Sequence, residues 1–252
     1  MHWVIQRDLY SREGLHTLLQ ALERFGADFT LVDISDGRMQ PDVAPPNPVI
    51  ALGANTVARV AKEMEWRPGC FANDRLSHDI WHEHLGTELL NDDGVVCRLA
   101  DVPRNLTRFF LRPVRDSKAF TGRMFDERSF PEWINAGSFD PDIFVLYARP
   151  KEILREYRFF AVADQIVTAS LYRQGGRAHF AREIDPDIWR YAESIVRRWS
   201  PGDAYVLDVA LTAQGQLKVI EYNGLAAAQF YEADVMKLVA ALIDYADQLP
   251  TT

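Results

Sequence analysis

A chain of 252 residues with 48% hydrophobic and 25% charged residues can bury one large core or two smaller ones, and its composition is that of an ordinary globular protein. The net charge of −8 argues against non-specific binding to nucleic acid or to an anionic membrane, and no apolar run approaches the ~20 residues a membrane helix needs. Two cysteines outside any Cys-x-x-Cys pair suit a reducing cytoplasm, and the first ten residues lack the basic start and apolar stretch of a signal peptide.

Residues 2–6 read as a strand. Ser11 then has the character of an N-cap, and Leu15, Leu18, Leu19, Leu22 and Phe25 recur at helical spacing until Gly26 ends the run. Residues 29–34 form a second expected strand. Pro45, Pro46 and Pro48 break the chain before a third at 49–52, and Gly53 leads into a helix over 55–66. This alternation predicts a small α/β lobe with parallel pairing. A turn-rich connection follows through Pro68 and Gly69, then a short helix at 76–85, a strand at 95–99 and a linker at 101–105. The expected division is therefore a lobe of residues 1–104 and a second part of residues 105–252.

The second part is strand-rich. Strands are expected at 108–114 and 143–147, with a polar loop at 116–123 between them. Hairpins are expected at 156–163 with 166–172, and at 205–211 with 217–223. Helices are expected at 187–199, with Pro186 near the first turn, and at 232–247. Hairpins with a few packed helices imply an α+β architecture.

The last hairpin carries the most chemistry. A two-residue turn at Gln214 and Gly215 would pair residues whose numbers sum to 429. Leu207 then faces Tyr222 and Val209 faces Ile220 on one side of the sheet. On the other side Asp208 opposes Glu221, with Asn223 two residues on. Opposed carboxylates repel unless a proton or a cation compensates them. Asp, Glu and Asn form an all-oxygen set that suits Mg²⁺ or Mn²⁺, and Mg²⁺ held by few protein groups takes its other ligands from phosphates and water. The plainer alternative is a solvated face on which each carboxylate pairs with an arginine.

The run 206–210, a short turn and the run 219–224 (Val-Ile-Glu-Tyr-Asn-Gly) resemble the metal-binding end of ATP-grasp enzymes. The order of the upstream segments agrees. Phe110-Leu111-Arg112-Pro113 is similar to the strand where most of that family carry Lys-Pro, residues 116–122 to its phosphate loop, and 156–160 with 166–173 to its central hairpin. Arg in the usual Lys place, with Lys118 in the loop, resembles a divergent prokaryotic and viral clade. The resemblance covers roughly residues 105–247. It implies an ATP-grasp fold, two α+β subdomains holding ATP between them, preceded by a small α/β lobe.

The resemblance also implies an activity. An ATP- and Mg²⁺-dependent ligase would join a carboxylate to an amine through an acyl phosphate, the partners being an amino acid, a peptide or a protein terminus. Asp208, Glu221 and Asn223 would hold metal. Arg112, Lys118, Tyr147 and Glu156 would lie near ATP. Arg158 and Arg173 would face the phosphates or the acyl phosphate. With a turn at Asp164 and Gln165, Glu156 would oppose Arg173, so a cross-strand ion pair is the competing reading. A non-catalytic nucleotide-binding protein and a phosphotransferase are the competing functions. His78 and His82 stand at a spacing zinc sites use, without further Cys or His support, and Gly53-Ala54-Asn55 reads as a tight turn.

Overall fold

The computed structural model describes residues 1–71, 75–115 and 119–250. The first lobe holds β1 (His2–Gln6), α1 (Arg12–Arg24), β2 (Asp28–Ser35), β3 (Arg38–Gln40), β4 (Val49–Leu52), α2 (Asn55–Glu63) and β5 (Pro68–Gly69). They form a sheet in the order β3-β2-β1-β4-β5, in which β1 runs parallel to both β2 and β4. Ser11 caps α1 by accepting from the Gly14 amide, as its position predicts. Leu18, Ala21 and Leu22 of α1 are buried.

Next come α3 (His78–Leu85), β6 (Val95–Arg98), β7 (Arg108–Pro113), β8 (Arg123–Asp126), α4 (Ser129–Ala136) and β9 (Phe144–Ala148). Here the sheet order is β6-β9-β7-β8, antiparallel throughout. The expected division at residue 104 falls after β6, which pairs with β9 and so belongs to this second sheet. The short β8 and α4 escape the sequence reading. Their stretch lacks strand alternation, and Pro131 sits in the first turn of α4, where its missing N–H costs nothing.

The third sheet is built from β10 (Ile153–Val162), β11 (Gln165–Gln174), β12 (Arg177–Ala181), β13 (Ala204–Thr212) and β14 (Leu217–Gly224), in the order β12-β11-β10-β13-β14. Between them in sequence lies α5 (Pro186–Arg198), and α6 (Val235–Asp247) closes the chain. One face of this sheet contributes Phe160, Val162 and Val206 to a core shared with α6 and the first lobe. The opposite face contributes Tyr157, Phe159, Leu207 and Tyr222 to a core shared with α3 and α5. The second sheet has its own core around Phe109, Leu111, Phe125 and Phe130. A cleft runs between the second and third sheets.

Both hairpins of the third sheet differ from their expected registers in an instructive way. At the tip of β13 and β14 the loop has three residues, with the Gly215 amide donating to the Thr212 carbonyl and Gly215 at φ +76°. That shifts the pairing by one, so Val209 faces Val219 rather than Ile220. Ile220 is then an extra bulge residue, and beyond it the register returns to Asp208 opposite Glu221 and Leu207 opposite Tyr222. Val219 and Tyr222, three apart, are both buried, and a strand without a bulge would turn them to opposite faces. In the central hairpin the turn is Ala163-Asp164 rather than Asp164-Gln165, both residues having positive φ. Bulges at Val167 and Tyr172 again restore the expected pair, Glu156 opposite Arg173.

A cleft lined with arginine-carboxylate pairs

The cleft encloses about 930 Å³. From the third sheet it is lined by Glu156, Arg158, Tyr172, Arg173, Asp208, Glu221 and Asn223, and from the second by Phe110, Arg112, Gly122 and Met124. Seven of the residues singled out in the sequence therefore meet in one place. Lys118 lies outside the described residues. Tyr147 is not among the residues that line the cleft. It pairs with Leu111 on β7, so it points away from the cleft-lining Arg112, and its ring stands edge-on to Phe109 in the second sheet's core.

Asp208 is the pivot, with only 1% of its surface exposed. It accepts a two-pronged bond from the neighbouring strand, Arg158 Nε at 2.9 Å and Nη2 at 2.8 Å. Glu221 is met from across the cleft by Arg112 Nη1 at 2.7 Å. The Asn223 amide lies between the carboxylates, its Nδ2 3.2 Å from Asp208 Oδ2 and 3.1 Å from Glu221 Oε1. Each carboxylate thus has an arginine, as the plainer sequence reading expects. The face is a cleft wall, however, and not a solvated surface. Burial pushes the Asp208 carboxyl up to about 6 against the pull of Arg158, with Glu221 and Glu156 adding to the rise. Two carboxylates that face each other across paired strands call for a compensating charge.

That demand tests whether a divalent cation fits. Asp208 and Glu221 offer hard oxygens, and rotating the Asn223 amide by half a turn presents its Oδ1 in place of the nitrogen. Two carboxylates and an amide oxygen are the few protein ligands Mg²⁺ takes when phosphates complete its shell. The residues fit the group. Among the described residues no three His, Cys, Asp or Glu side chains are grouped so that they could hold a metal ion, and His84 stacks on Trp199 at 4.7 Å.

Glu156 accepts from the Tyr172 hydroxyl at 2.7 Å and from Arg173 Nη1 at 3.2 Å, so the expected cross-strand pair with Arg173 is present. Burial, together with Asp208 and Glu156, raises the Tyr172 hydroxyl and keeps it a donor. The Arg158 guanidinium also lies over the rings of Tyr172 and Tyr231, at 5.4 and 5.3 Å. The sequence reading missed Tyr172, Tyr231 and the cleft-lining Lys151. The signal for Tyr172 lay in its bulge position, which local patterning does not reveal.

The sequence matches a model of the ATP-grasp domain, family 2 of its clade, over residues 93–241. That is more than half of the chain, which belongs to this ATP-grasp family. Solved structures share the fold over nearly the whole length. The ATP-grasp ligase PsnB complexed with minimal precursor is 13% identical with a TM-score of 0.60, covering 97% of this chain and 98% of that one. A RimK domain ATP-grasp protein from Sphaerobacter thermophilus is 16% identical with a TM-score of 0.60, covering 98% and 96%. The D-alanine–D-alanine ligase from Bacillus anthracis is 9% identical with a TM-score of 0.63, covering 98% and 97%. No curated protein matches the sequence.

Proposed function

We propose that this chain is an ATP- and Mg²⁺-dependent ligase that joins a carboxylate to an amine through an acyl phosphate. The observation that carries the reading is the buried Asp208, bridged by Asn223 to Glu221, with arginines closing on both carboxylates in a cleft between two sheets. Structurally similar proteins include ligases, among them PsnB, seen in one complex with minimal precursor, Mg and ADP and in another with a precursor peptide and AMPPNP. An amino acid, a peptide or a protein terminus is the proposed substrate range. Two free cysteines suit a cytoplasmic setting, and no helix among the described residues is long and apolar enough to cross a membrane.

In this proposal a substrate carboxylate oxygen attacks the γ-phosphorus of ATP and ADP leaves. The amine nitrogen then attacks the acyl carbon, loses a proton and displaces phosphate. No covalent bond to the protein is needed, so the chain works by positioning and by charge. Asp208, Glu221 and Asn223 would hold Mg²⁺, which when bound neutralises charge on the phosphates. Arg112 and Arg158 are fixed forks at the cleft surface, placed to meet phosphate oxygens once the carboxylates have another partner. Glu156 holds Arg173 at the rim, where it would face the acyl phosphate. Lys118 is proposed to reach the phosphates from its loop.

Calorimetry of ATP binding with and without Mg²⁺, on wild type and Glu221→Gln, tests the site. Binding is expected to need Mg²⁺ and to weaken at least about tenfold in the variant. ADP release against pairs of carboxylates and amines then tests the reaction, and a phosphorylated product without a joined one would indicate phosphotransfer. Wild type that binds no ATP at any Mg²⁺ concentration overturns the reading.

A further inference from the structure

The hairpin of β11 and β12 turns through Gly175 and Gly176, both at positive φ, and β12 is the outermost strand of its sheet. Its pairing contains a bulge. Arg173 faces Ala178 and Leu171 faces Ala181, so His179 and Phe180 together oppose the single Tyr172. Tyr172 is itself the bulge residue toward β10. Two irregularities thus meet at one point of the sheet. A third special backbone lies beside them, because Tyr231 is held at φ +52°.

All three produce one arrangement. Tyr172 stacks on Tyr231 at 5.3 Å and 11°, and Tyr231 stacks on Phe180 at 5.2 Å and 20°. The inner end of this row lies under the Arg158 guanidinium, which is bonded to Asp208. The outer end is open, with Phe180 50% and Tyr231 37% exposed. Core packing does not account for rings left in water, and bulges cluster where a side chain must be re-aimed beside an active site. The rim is also basic. Residues 173–182 include Arg173, Arg177, His179 and Arg182 and no acid, with Glu183 directly after this stretch and Glu232 directly after Tyr231.

We infer that Phe180 and Tyr231 form a recognition ledge for an acidic peptide substrate that carries an aromatic side chain near its reacting carboxylate. The inference rests on the ligase reading for the identity of the cleft. A planar ring extends the stack beyond Phe180, and acidic positions face Arg177 and His179. Steps of 5.3 and 5.2 Å separate the Arg158 guanidinium from the Phe180 ring. A ring stacked beyond Phe180 adds a step of about 5 Å, and three extended residue spacings together with the two side chains reach across that span, so the aromatic residue stands about three positions from the reacting group.

The test is calorimetry of the full chain with the peptides Phe-Gly-Gly-Glu and Ala-Gly-Gly-Glu, with and without Mg²⁺ and AMPPNP. Wild type is expected to prefer the phenyl peptide by at least about tenfold. Phe180→Ala should erase that preference while AMPPNP affinity stays unchanged, which also shows that the variant is folded. Arg177→Glu should weaken both peptides. Equal binding of the two peptides to wild type, binding of neither, or a preference that survives Phe180→Ala overturns the ledge. An aromatic preference in a chain that binds no AMPPNP would uphold the ledge and sink the ligase reading instead.

Discussion

The two walls of the cleft are built to different standards. On the third sheet nearly every polar group is tied to another: Arg158 to Asp208, Asn223 to both carboxylates, and Tyr172 and Arg173 to Glu156. This wall is backed by hydrophobic cores on both faces. The second sheet has a core of its own, and among the described residues it meets Glu221 through Arg112, which lies over Trp81. The contrast separates two tasks. One wall holds its charges in a network of its own strands, and the other adds the Arg112 guanidinium to it from across the cleft.

The sharpest way to break the first wall is Asp208→Asn. Arg158 would keep its burial and lose its counter-charge, which is expected to cost about 3 kcal/mol in urea unfolding. Mg²⁺-dependent nucleotide binding should be lost as well. A smaller effect is expected where the walls join. His78 donates its backbone N–H to Val114 at the end of β7, and its ring is buried with neither nitrogen bonded among the described residues. Burial, then Arg112 and His82, lower this imidazole to about 4, and the nearby Asn91 backbone opposes the shift without reaching bonding geometry. The unfolded chain therefore binds the proton more readily between pH 6.5 and 4, and His78's contribution is lost as pH falls through that window. His78→Leu should flatten this acid slope by on the order of 2 kcal/mol, read as the difference between wild-type and variant unfolding curves. The smallest effect belongs to the Arg112 contact. Arg112→Ala should weaken nucleotide binding about tenfold and change stability by less than about 1 kcal/mol, since its partner Glu221 remains partly open to water.

The walls also differ in how far the sequence exposes them. Strands β10, β13 and β14 are long and apolar enough to read directly, and their carboxylates and arginines stand at spacings that point to one face. The register between Asp208 and Glu221 agrees with the sequence reading, yet by a different route. A loop one residue longer than expected is offset by the Ile220 bulge, and a displaced turn in the central hairpin is offset by two bulges. Bulges are set by tertiary packing, and alternation does not report them. On the other wall, four-residue β8 and eight-residue α4 offer too little periodicity to recognise. The face that Tyr147 takes depends on its pairing with Leu111, a long-range contact that local sequence does not carry. Phe180 lies on an exposed edge strand of five residues, too short for its alternation to stand out in the sequence.

The bulge at Ile220 has a consequence for how this hairpin diverges among relatives. It lies between the loop at residues 213–215 and the Asp208–Glu221 pair, so it separates the bookkeeping of the tip from that of the site. A relative that gains or loses one residue at the tip can keep its carboxylates opposed by losing or gaining a bulge. Gaps in an alignment of this region therefore belong at two places at once. In such a relative the length of the tip and the opposition of the two acids would vary independently, and homologous positions would be counted from the acids.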